Sequence, residues 1–242
     1  MSNVYLVRHG QAGTRDAYDV LSELGRRQSR LLGEHFLSQG LHFGAEYVGE
    51  MSRQQQTAEE IRAAYHAGGA SFPMMQVDAT WNEIDLGRLF REIAPQLCAE
   101  DSEFRREYED MLEQVRLSGD AHEAKIHRKW LPCDTKVVDA WMSGRYHYDG
   151  ESWEQFRERA TTCRLKLGDE SGRENVLVVT SAMPIAIWAG MSLEISDARV
   201  MGLAGVLYNA SYTMVRLREK QARLFTFNAA PHLAASGTRT HR

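Results

Sequence analysis

Cysteine is scarce in this chain of 242 residues, which contains only Cys98, Cys133 and Cys163. The three thiols lie far apart, no pair has the CxxC spacing, and an odd number leaves at least one of them unpaired. These features exclude a disulfide framework and argue against a zinc site. Reduced thiols are typical of the cytosol, so we expect a cytoplasmic protein.

Long apolar runs and an excess of positive charge are also missing. No apolar stretch approaches the roughly 20 residues that a membrane-spanning helix needs, and no signal peptide is predicted at the start of the sequence. The formal net charge is −4, with 29 Lys and Arg against 33 Asp and Glu. The cluster of Arg26, Arg27 and Arg30 lies on a predicted helix, where a solvated face is the better interpretation. We therefore expect neither nucleic acid nor a membrane as a partner.

Apolar periodicity divides the chain into alternating strands and helices. Strands are predicted at residues 3–8, 45–49, 74–77, 176–179, 206–209, 212–218 and 223–227, and helices at residues 21–38, 53–65 and 184–191. Ser22 is the predicted N-cap of the first helix, and Ser152 with Gln155 forms a capping box before a later one. The alternation predicts a parallel sheet covered by helices. Residues from about 89 to 150 predict a helical insertion, and the tail after Leu233 is predicted to be frayed.

Arg8, His9 and Gly10 follow the first predicted strand directly. Ligands of open α/β sheets bind outside the carboxyl ends of the strands, so these residues converge where a ligand would sit. An unprotonated imidazole nitrogen can attack phosphorus, and a neighbouring guanidinium can hold the phosphoryl oxygens. The pattern favours phosphoryl transfer to a histidine, whereas an isolated histidine at a strand end is more often only packed there.

Several motifs in a fixed order carry a family resemblance. They are Tyr5-Leu6-Val7-Arg8-His9-Gly10-Gln11-Ala12, Leu21-Ser22-Glu23-Leu24-Gly25 with Gln28, Arg53 with Gln56-Thr57-Ala58, and Asn82-Glu83-Ile84-Asp85-Leu86-Gly87. With these motifs the chain resembles the histidine phosphatase superfamily, which includes the cofactor-dependent phosphoglycerate mutases. The resemblance implies an α/β fold: a three-layer α/β/α sandwich with a mostly parallel central sheet, in a single domain over residues 1–242. It further implies phosphohistidine chemistry that needs neither a metal nor a cofactor.

The resemblance also assigns roles to the residues of the first and third motifs. His9 is the implied nucleophile. Arg8 and Arg53 are the implied phosphate clamps, because arginine offers a planar fork to phosphoryl oxygens. A surface salt bridge is the alternative role for each arginine. Gln11 binds either the phosphate or water, or it is a simple turn residue.

Glu83 matches the position of the family's general acid, the group that protonates the leaving oxygen. Asp85 lies two residues further along and competes for this role, and spacing alone does not separate the two carboxyl groups. A solvated acidic loop is the alternative for both.

The chain departs from the family at one position. Most members carry a histidine after a late strand that contacts the transferring phosphoryl group, and Ser181 stands in its place. A serine hydroxyl donates a hydrogen bond but carries no positive charge, and loss of such a donor typically lowers the rate on the order of 10²–10³-fold. Thr180 and Ser181 are equally well interpreted as caps of the following helix. His232, just past the last strand, is a candidate substitute if the tail folds over the site.

The residues that follow the first motif favour a hydrolase over a mutase. Mutases of the family carry a segment rich in Trp and Asn soon after the first motif, and residues 12–19 lack it. A phosphoglycerate mutase-type transferase stays an alternative. An impaired member that binds phosphate esters without turnover is a further alternative, which Ser181 motivates. The expected partner is a small phosphorylated substrate, and the sequence does not predict the oligomeric state.

Overall fold

Strands and helices alternate along the chain as the apolar periodicity predicts. The structure is a computed structural model that describes residues 2–13, 19–117, 123–170, 175–218, 221–234 and 237–241. Its elements are β1 (Ser2–Arg8), α1 (Glu23–Ser38), β2 (Phe43–Val48), α2 (Ser52–Ala67), β3 (Met75–Val77), α3 (Leu86–Glu100), α4 (Ser102–Leu117), α5 (Glu123–Met142), α6 (Trp153–Glu170), β4 (Asn175–Thr180), α7 (Ala182–Leu193), α8 (Asp197–Val206), β5 (Tyr212–Arg218) and β6 (Gln221–Ala229). A 3-10 turn, Ala79–Trp81, lies between β3 and α3.

The chain divides into two compact units. The first comprises Met1–Glu83 and Arg159–Arg242, and the second comprises Ile84–Glu158. The first unit contains the sheet, and the second contains α3, α4, α5 and the start of α6. A single domain with an insertion from about residue 89 to 150 stays a prediction. Of the helices in the described ranges, none is long and apolar enough to cross a membrane.

The strands of the first unit form one mixed sheet in the order β3-β2-β4-β1-β5-β6. The strands from β3 to β1 in this order are parallel to one another, and β5 and β6 add an antiparallel pair at one edge. Parallel pairing aligns Arg8 with Thr180 and Val48 with Val179. The residues that follow β1, β2 and β4 therefore meet at one edge of the sheet, where ligands bind in folds of this kind.

Helices cover both faces of this sheet. Phe36 of α1 and Tyr65 of α2 are fully buried on one face, and Leu167 of α6 and Trp188 of α7 are buried on the other. Burying an apolar side chain of this size contributes about 1.5–3 kcal/mol, so both helical layers are held mainly by their apolar faces. The predicted three-layer α/β/α sandwich with a mostly parallel sheet is confirmed.

Helix starts also form where the sequence predicts them. The Ser22 side chain caps α1 by accepting a hydrogen bond from the Gly25 N–H at 3.0 Å. Before α6, the Ser152 hydroxyl accepts from the Gln155 N–H at 3.3 Å, and the Gln155 side-chain oxygen accepts from the Ser152 N–H at 2.9 Å. Both predictions are confirmed, because a cap depends only on neighbouring residues.

The strand predicted at residues 206–209 is wrong. Val206 is the last residue of α8, and the chain then turns through Ala210, which has a positive φ of 53°. The Asn228 side chain accepts from the Tyr208 N–H at 2.8 Å and donates to the Val206 carbonyl at 2.7 Å. A side chain distant in sequence thus bonds backbone groups that a strand would have placed in a ladder.

The tail that was predicted to be frayed is tied down where it is described. The Thr238 carbonyl accepts a hydrogen bond from the Gln28 side chain at 2.7 Å, and the Thr240 carbonyl accepts from the Asn209 N–H at 2.8 Å. Thr238 is buried. The prediction fails because small polar composition does not reveal partners on α1 and after α8. Residues 235–236 and 242 lie outside the described residues.

Candidate active site

The ends of β1 and β4 bring His9 to the carboxyl edge of the sheet. The His9 N–H donates to the Thr180 carbonyl at 2.9 Å, so His9 lies beside the end of β4. The His9 carbonyl accepts from the Ala210 N–H at 3.2 Å and from the Asn209 side chain at 3.4 Å. These bonds hold the backbone on both sides, and His9 is only 3% exposed.

Two contacts determine the protonation state of the His9 ring. Nδ1 lies 2.8 Å from the Gly10 carbonyl oxygen, which can only accept a hydrogen bond. Nε2 lies 3.3 Å from Nε of Arg53, which can only donate one. The ring therefore carries its hydrogen on Nδ1 and has a lone pair on Nε2. Burial, and then the charges of Arg53 and Arg8, hold the pKa of His9 well below its usual value, so the resting ring is neutral.

Gly10 is required by close packing after β1. A Cβ atom at this position would lie 2.4 Å from the Gly25 carbonyl oxygen of α1. The Gly10 N–H donates to the Thr57 hydroxyl at 3.0 Å, and that hydroxyl donates to the Arg53 carbonyl at 2.7 Å. The loop that carries His9 is thus held against both α1 and α2.

Arg53 is held between His9 and an acidic residue that the sequence analysis missed. Its Nη1 donates to Oδ1 of Asp19 at 2.9 Å, and Oδ2 of Asp19 accepts from the Ser52 N–H at 3.2 Å. The Arg53 side chain is 7% exposed, whereas that of Asp19 is 57% exposed. Burial of the guanidinium beside the imidazole distinguishes Arg53 from an ordinary surface ion pair.

Arg8 is also buried, and its Nη1 donates to the Leu207 carbonyl just after α8. After burial and Arg53, Arg8 is the next cause of the lowered pKa of His9. The Arg8 guanidinium thus acts electrostatically on the His9 ring while one of its donors binds the backbone. A phosphate-clamp role for Arg8 stays a prediction.

Gln11 is tied to the start of α1. Its N–H donates to the Gln28 side-chain oxygen at 2.9 Å, and its own side-chain oxygen accepts from the Ser22 hydroxyl at 2.9 Å. These contacts make Gln11 a turn residue in the resting structure, and a contact with phosphate or water stays a prediction.

The structure separates the two carboxyl groups that spacing left undecided. Oε2 of Glu83 accepts from the Met183 N–H at 3.1 Å, in the first turn of α7. Asp85 is instead the N-cap of α3, where it accepts from the Arg88 N–H at 2.9 Å. The Glu83 carboxyl group thus lies at the first turn of α7 and that of Asp85 at the start of α3, and the general-acid role of either one stays a prediction.

The turn before Glu83 is fixed by one arginine. Nη1 of Arg159 donates to the carbonyls of Ala79, Thr80 and Asn82 at 3.2, 2.9 and 3.2 Å. Three carbonyl contacts from one guanidinium hold the backbone that leads into Glu83.

The interpretation as a helix cap holds for the position of Ser181, which is the N-cap residue of α7, but its side chain makes no cap bond, and Thr180 is the last residue of β4. Ser181 occupies the N-cap position without a side-chain cap bond, and the Thr180 hydroxyl donates to the Trp81 carbonyl at 2.6 Å. The physical reason is that Glu83 already accepts from an amide of the first turn. The buried Ser181 oxygen instead accepts from Nε2 of Gln54 at 2.9 Å.

A comparison with known protein families identifies the superfamily of this chain. A family model described as the histidine phosphatase superfamily, branch 1, matches residues 4–126 and 120–230. The chain belongs to this superfamily. The membership predicted from the motifs is thereby confirmed. A search of curated proteins found no match.

Solved structures share the superfamily fold with this chain. A mutant phosphoserine phosphatase from Entamoeba histolytica in complex with phosphoserine has a TM-score of 0.59 at 18% identity, covering 96% of this chain and 100% of that one. A putative alpha-ribazole-5'-P phosphatase from Escherichia coli has a TM-score of 0.62 at 18% identity, with 95% and 97% covered. A phosphoglycerate mutase from Bacillus anthracis has a TM-score of 0.57 at 16% identity, with 96% and 94% covered. At such identities the likeness shows the fold alone.

In the present chain, His232 lies against α1. Its ring stacks on that of His35, with centroids 5.9 Å apart. Burial, and then His35, lower the pKa of His232 to about 4. A ring that stays neutral does not supply positive charge, so the observed environment does not favour His232 as a replacement for a cationic histidine.

Sequence reasoning also missed two buried polar residues that contact the loop carrying His9. Asn209 and Gln28 are both completely buried. Asn209 contacts the His9 carbonyl, and Gln28 accepts from the Gln11 N–H. Gln28 appears in the second motif only as a family marker, and no local pattern marks Asn209. Their roles depend on partners that the fold brings together.

Proposed function

We propose that the protein is a phosphomonoester hydrolase that acts through a phosphohistidine on His9. The neutral His9 ring carries this proposal, with Nδ1 bonded to the Gly10 carbonyl and Nε2 facing Arg53. Nε2 has the lone pair that attacks phosphorus, and the Gly10 carbonyl stabilises the positive charge that develops on the ring. The lowered pKa of His9 keeps this lone pair available at neutral pH.

The reaction has two steps, and neither requires a metal or a cofactor. In the first step Nε2 bonds to phosphorus, the bond from phosphorus to the ester oxygen breaks, and Glu83 gives its proton to the leaving oxygen. In the second step water attacks phosphorus, Glu83 accepts the proton, and the bond from phosphorus to Nε2 breaks. Inorganic phosphate leaves and both residues return to their starting forms.

The charges of the site support these two reaction steps. An incoming phosphate displaces the Arg53 N–H from Nε2, and the guanidinium then binds phosphoryl oxygens, with Arg8 adding positive charge. Glu83 must be protonated when the ester oxygen leaves. The negative charge of the substrate favours that proton, because two anions at one site disfavour each other.

Water, rather than a second substrate hydroxyl, is the proposed acceptor. The support is the sequence of residues 12–19, which lacks Trp and Asn; residues 14–18 lie outside the described residues. A phosphoglycerate mutase-type reaction would use the same His9 chemistry and return the phosphoryl group to another hydroxyl. Incubation with 3-phosphoglycerate separates the two, since a hydrolase releases phosphate and a mutase forms 2-phosphoglycerate.

Small phosphorylated metabolites are the proposed substrate class. Structures of the Entamoeba histolytica phosphoserine phosphatase contain phosphoserine or 3-phosphoglyceric acid, so these compounds are the first to assay. We also propose a cytoplasmic location, which the free thiols of Cys98, Cys133 and Cys163 support.

The test is hydrolysis of p-nitrophenyl phosphate in the presence of EDTA. The wild type is expected to be active, His9→Ala inactive, and His66→Ala, which changes an exposed histidine of α2, fully active. Wild type quenched with alkaline detergent should contain a phosphoryl group that is stable to base and labile to acid, which His9→Ala lacks. Activity in His9→Ala would refute the mechanism.

Binding of phosphate esters without turnover is a second candidate, which Ser181 favours. It predicts stoichiometric binding of phosphoserine or 3-phosphoglycerate by a folded wild type that releases no phosphate from either compound.

A further inference from the structure

Gln54 is a completely buried polar residue that the reaction above does not use. It lies in the first turn of α2, next to Arg53. Its Nε2 is 2.9 Å from the Ser181 oxygen and 3.2 Å from the Trp81 carbonyl oxygen. Its Oε1 accepts from the Met51 N–H at 3.4 Å.

These neighbours fix the orientation of the Gln54 side chain. A backbone carbonyl only accepts and a backbone N–H only donates, so Nε2 must face Trp81 and Oε1 must face Met51. The Ser181 oxygen therefore accepts a hydrogen bond from Gln54, and its own hydrogen is left for another acceptor. Among the described residues this hydrogen has no acceptor, which is unusual for a hydroxyl that is 1% exposed.

Ser181 follows β4 at the point where His9 follows the neighbouring strand β1. Arg8 and Thr180 are register partners on the parallel strands β1 and β4, and the His9 N–H donates to the Thr180 carbonyl. His9 and Ser181 therefore leave neighbouring strands at the same edge of the sheet. A phosphoryl group on His9 would bring oxygen acceptors to this edge.

We propose that Gln54 is a positioning residue that orients the Ser181 hydroxyl as a hydrogen-bond donor to the phosphoryl group transferred to His9. The inference rests on the proposed function. Together, Gln54 and Ser181 supply a neutral hydroxyl donor where most members of the superfamily have a histidine. A neutral donor does not lose its proton near neutral pH, unlike an imidazolium.

Local packing supports a specific role for the Gln54 amide. The Trp81 carbonyl already accepts from the Thr180 hydroxyl at 2.6 Å, so it does not depend on Gln54 for a partner. A Cβ atom at Gly49 would lie 2.0 Å from Oε1 of Gln54, so the amide occupies space that only glycine leaves open. An apolar side chain of similar length would fill this space without orienting Ser181.

The test is a double-mutant cycle of Gln54→Met and Ser181→Ala, with kcat and KM measured for p-nitrophenyl phosphate. Ser181→Ala should lower kcat on the order of 10²-fold, the usual effect of removing one such donor. Gln54→Met should lower kcat by roughly tenfold or more, and the double variant should be no slower than Ser181→Ala. The matched control is Gln55→Met, because the Gln55 side chain donates to the Glu50 carbonyl at 2.8 Å and, among the described residues, has no hydrogen bond to Ser181.

Losses that multiply in the double variant would overturn the proposal, because Gln54 would then act independently of Ser181. An equal loss in Gln55→Met, or wild-type activity in Ser181→Ala, would also overturn it. If Gln54→Met does not fold, Ser181→Ala still decides, since it removes a single oxygen atom. Orthovanadate affinity provides a second measurement and should fall in both variants.

Failure of this inference is distinct from failure of the proposed function. An inactive His9→Ala together with a fully active Ser181→Ala would leave the phosphohistidine mechanism intact and refute the role of the Gln54–Ser181 pair. Activity in His9→Ala would refute the mechanism itself.

Discussion

Glu46 places a carboxyl group inside the sheet, and its proton should control the stability of the fold near neutral pH. It lies on β2, is completely buried, and its Oε2 accepts a hydrogen bond from Arg62 of α2. Burial raises the pKa of Glu46 from 4.5 to about 7, although Arg62 acts in the opposite direction. The cost of removing the carboxylate from water therefore exceeds the gain from its partner.

The sign of the effect follows from proton linkage. Since the pKa is higher in the folded protein, the folded state binds the proton more tightly between pH 4.5 and about 7. The contribution of Glu46 to stability is therefore fully present below pH 4.5 and is lost as the pH rises through about 7. At about 1.4 kcal/mol per pKa unit, the loss is about 3 kcal/mol.

The assay is urea denaturation of the wild type and Glu46→Gln at pH 5 and pH 8. The free energy of unfolding of the wild type should fall between these values by about 2.5 kcal/mol more than that of the variant. Glu59→Gln, on the exposed side of α2, is the control and should follow the wild type. The reasoning is wrong if Glu46→Gln and the wild type change in parallel, or if the wild type gains stability relative to Glu46→Gln as the pH rises.

Three other changes test the cap, the acid and the tail. Ser22→Ala removes the cap of α1 and should cost about 1 kcal/mol in urea unfolding, whereas Ser38→Ala at the exposed end of the helix should change it by less than about 0.5 kcal/mol. Glu83→Gln should lower kcat for phosphoserine by about 10²–10⁴-fold and affect p-nitrophenyl phosphate less, because p-nitrophenolate leaves without a proton; an equally impaired Asp85→Asn would contradict this assignment. Deleting residues 237–242 removes the carbonyls that Gln28 and Asn209 contact and should cost about 1–3 kcal/mol, and an unchanged urea midpoint would show that these bonds contribute nothing.

The nearby sequence determined the elements and their starts. The positions of β1, α1 and β5 follow from apolar spacing, and the caps at Ser22 and Ser152 follow from residues no more than three positions away. The placement of His9 at the end of β1 required only that the first apolar run be a strand of an α/β sheet. Each of these features depends on short-range hydrogen bonds and on the period of side-chain burial.

Tertiary structure alone decided which groups meet at the candidate site. Glu83 and Met183 are 100 residues apart, and Gln54 and Ser181 are 127 residues apart. No local sequence pattern predicts either contact, because the strand order β3-β2-β4-β1-β5-β6 places strands that are distant in the sequence next to each other. The same reason explains the error at residues 206–209, where Asn228 binds the backbone. The order of residues along the chain thus determines which of them follow each strand, and long-range packing determines which of them touch.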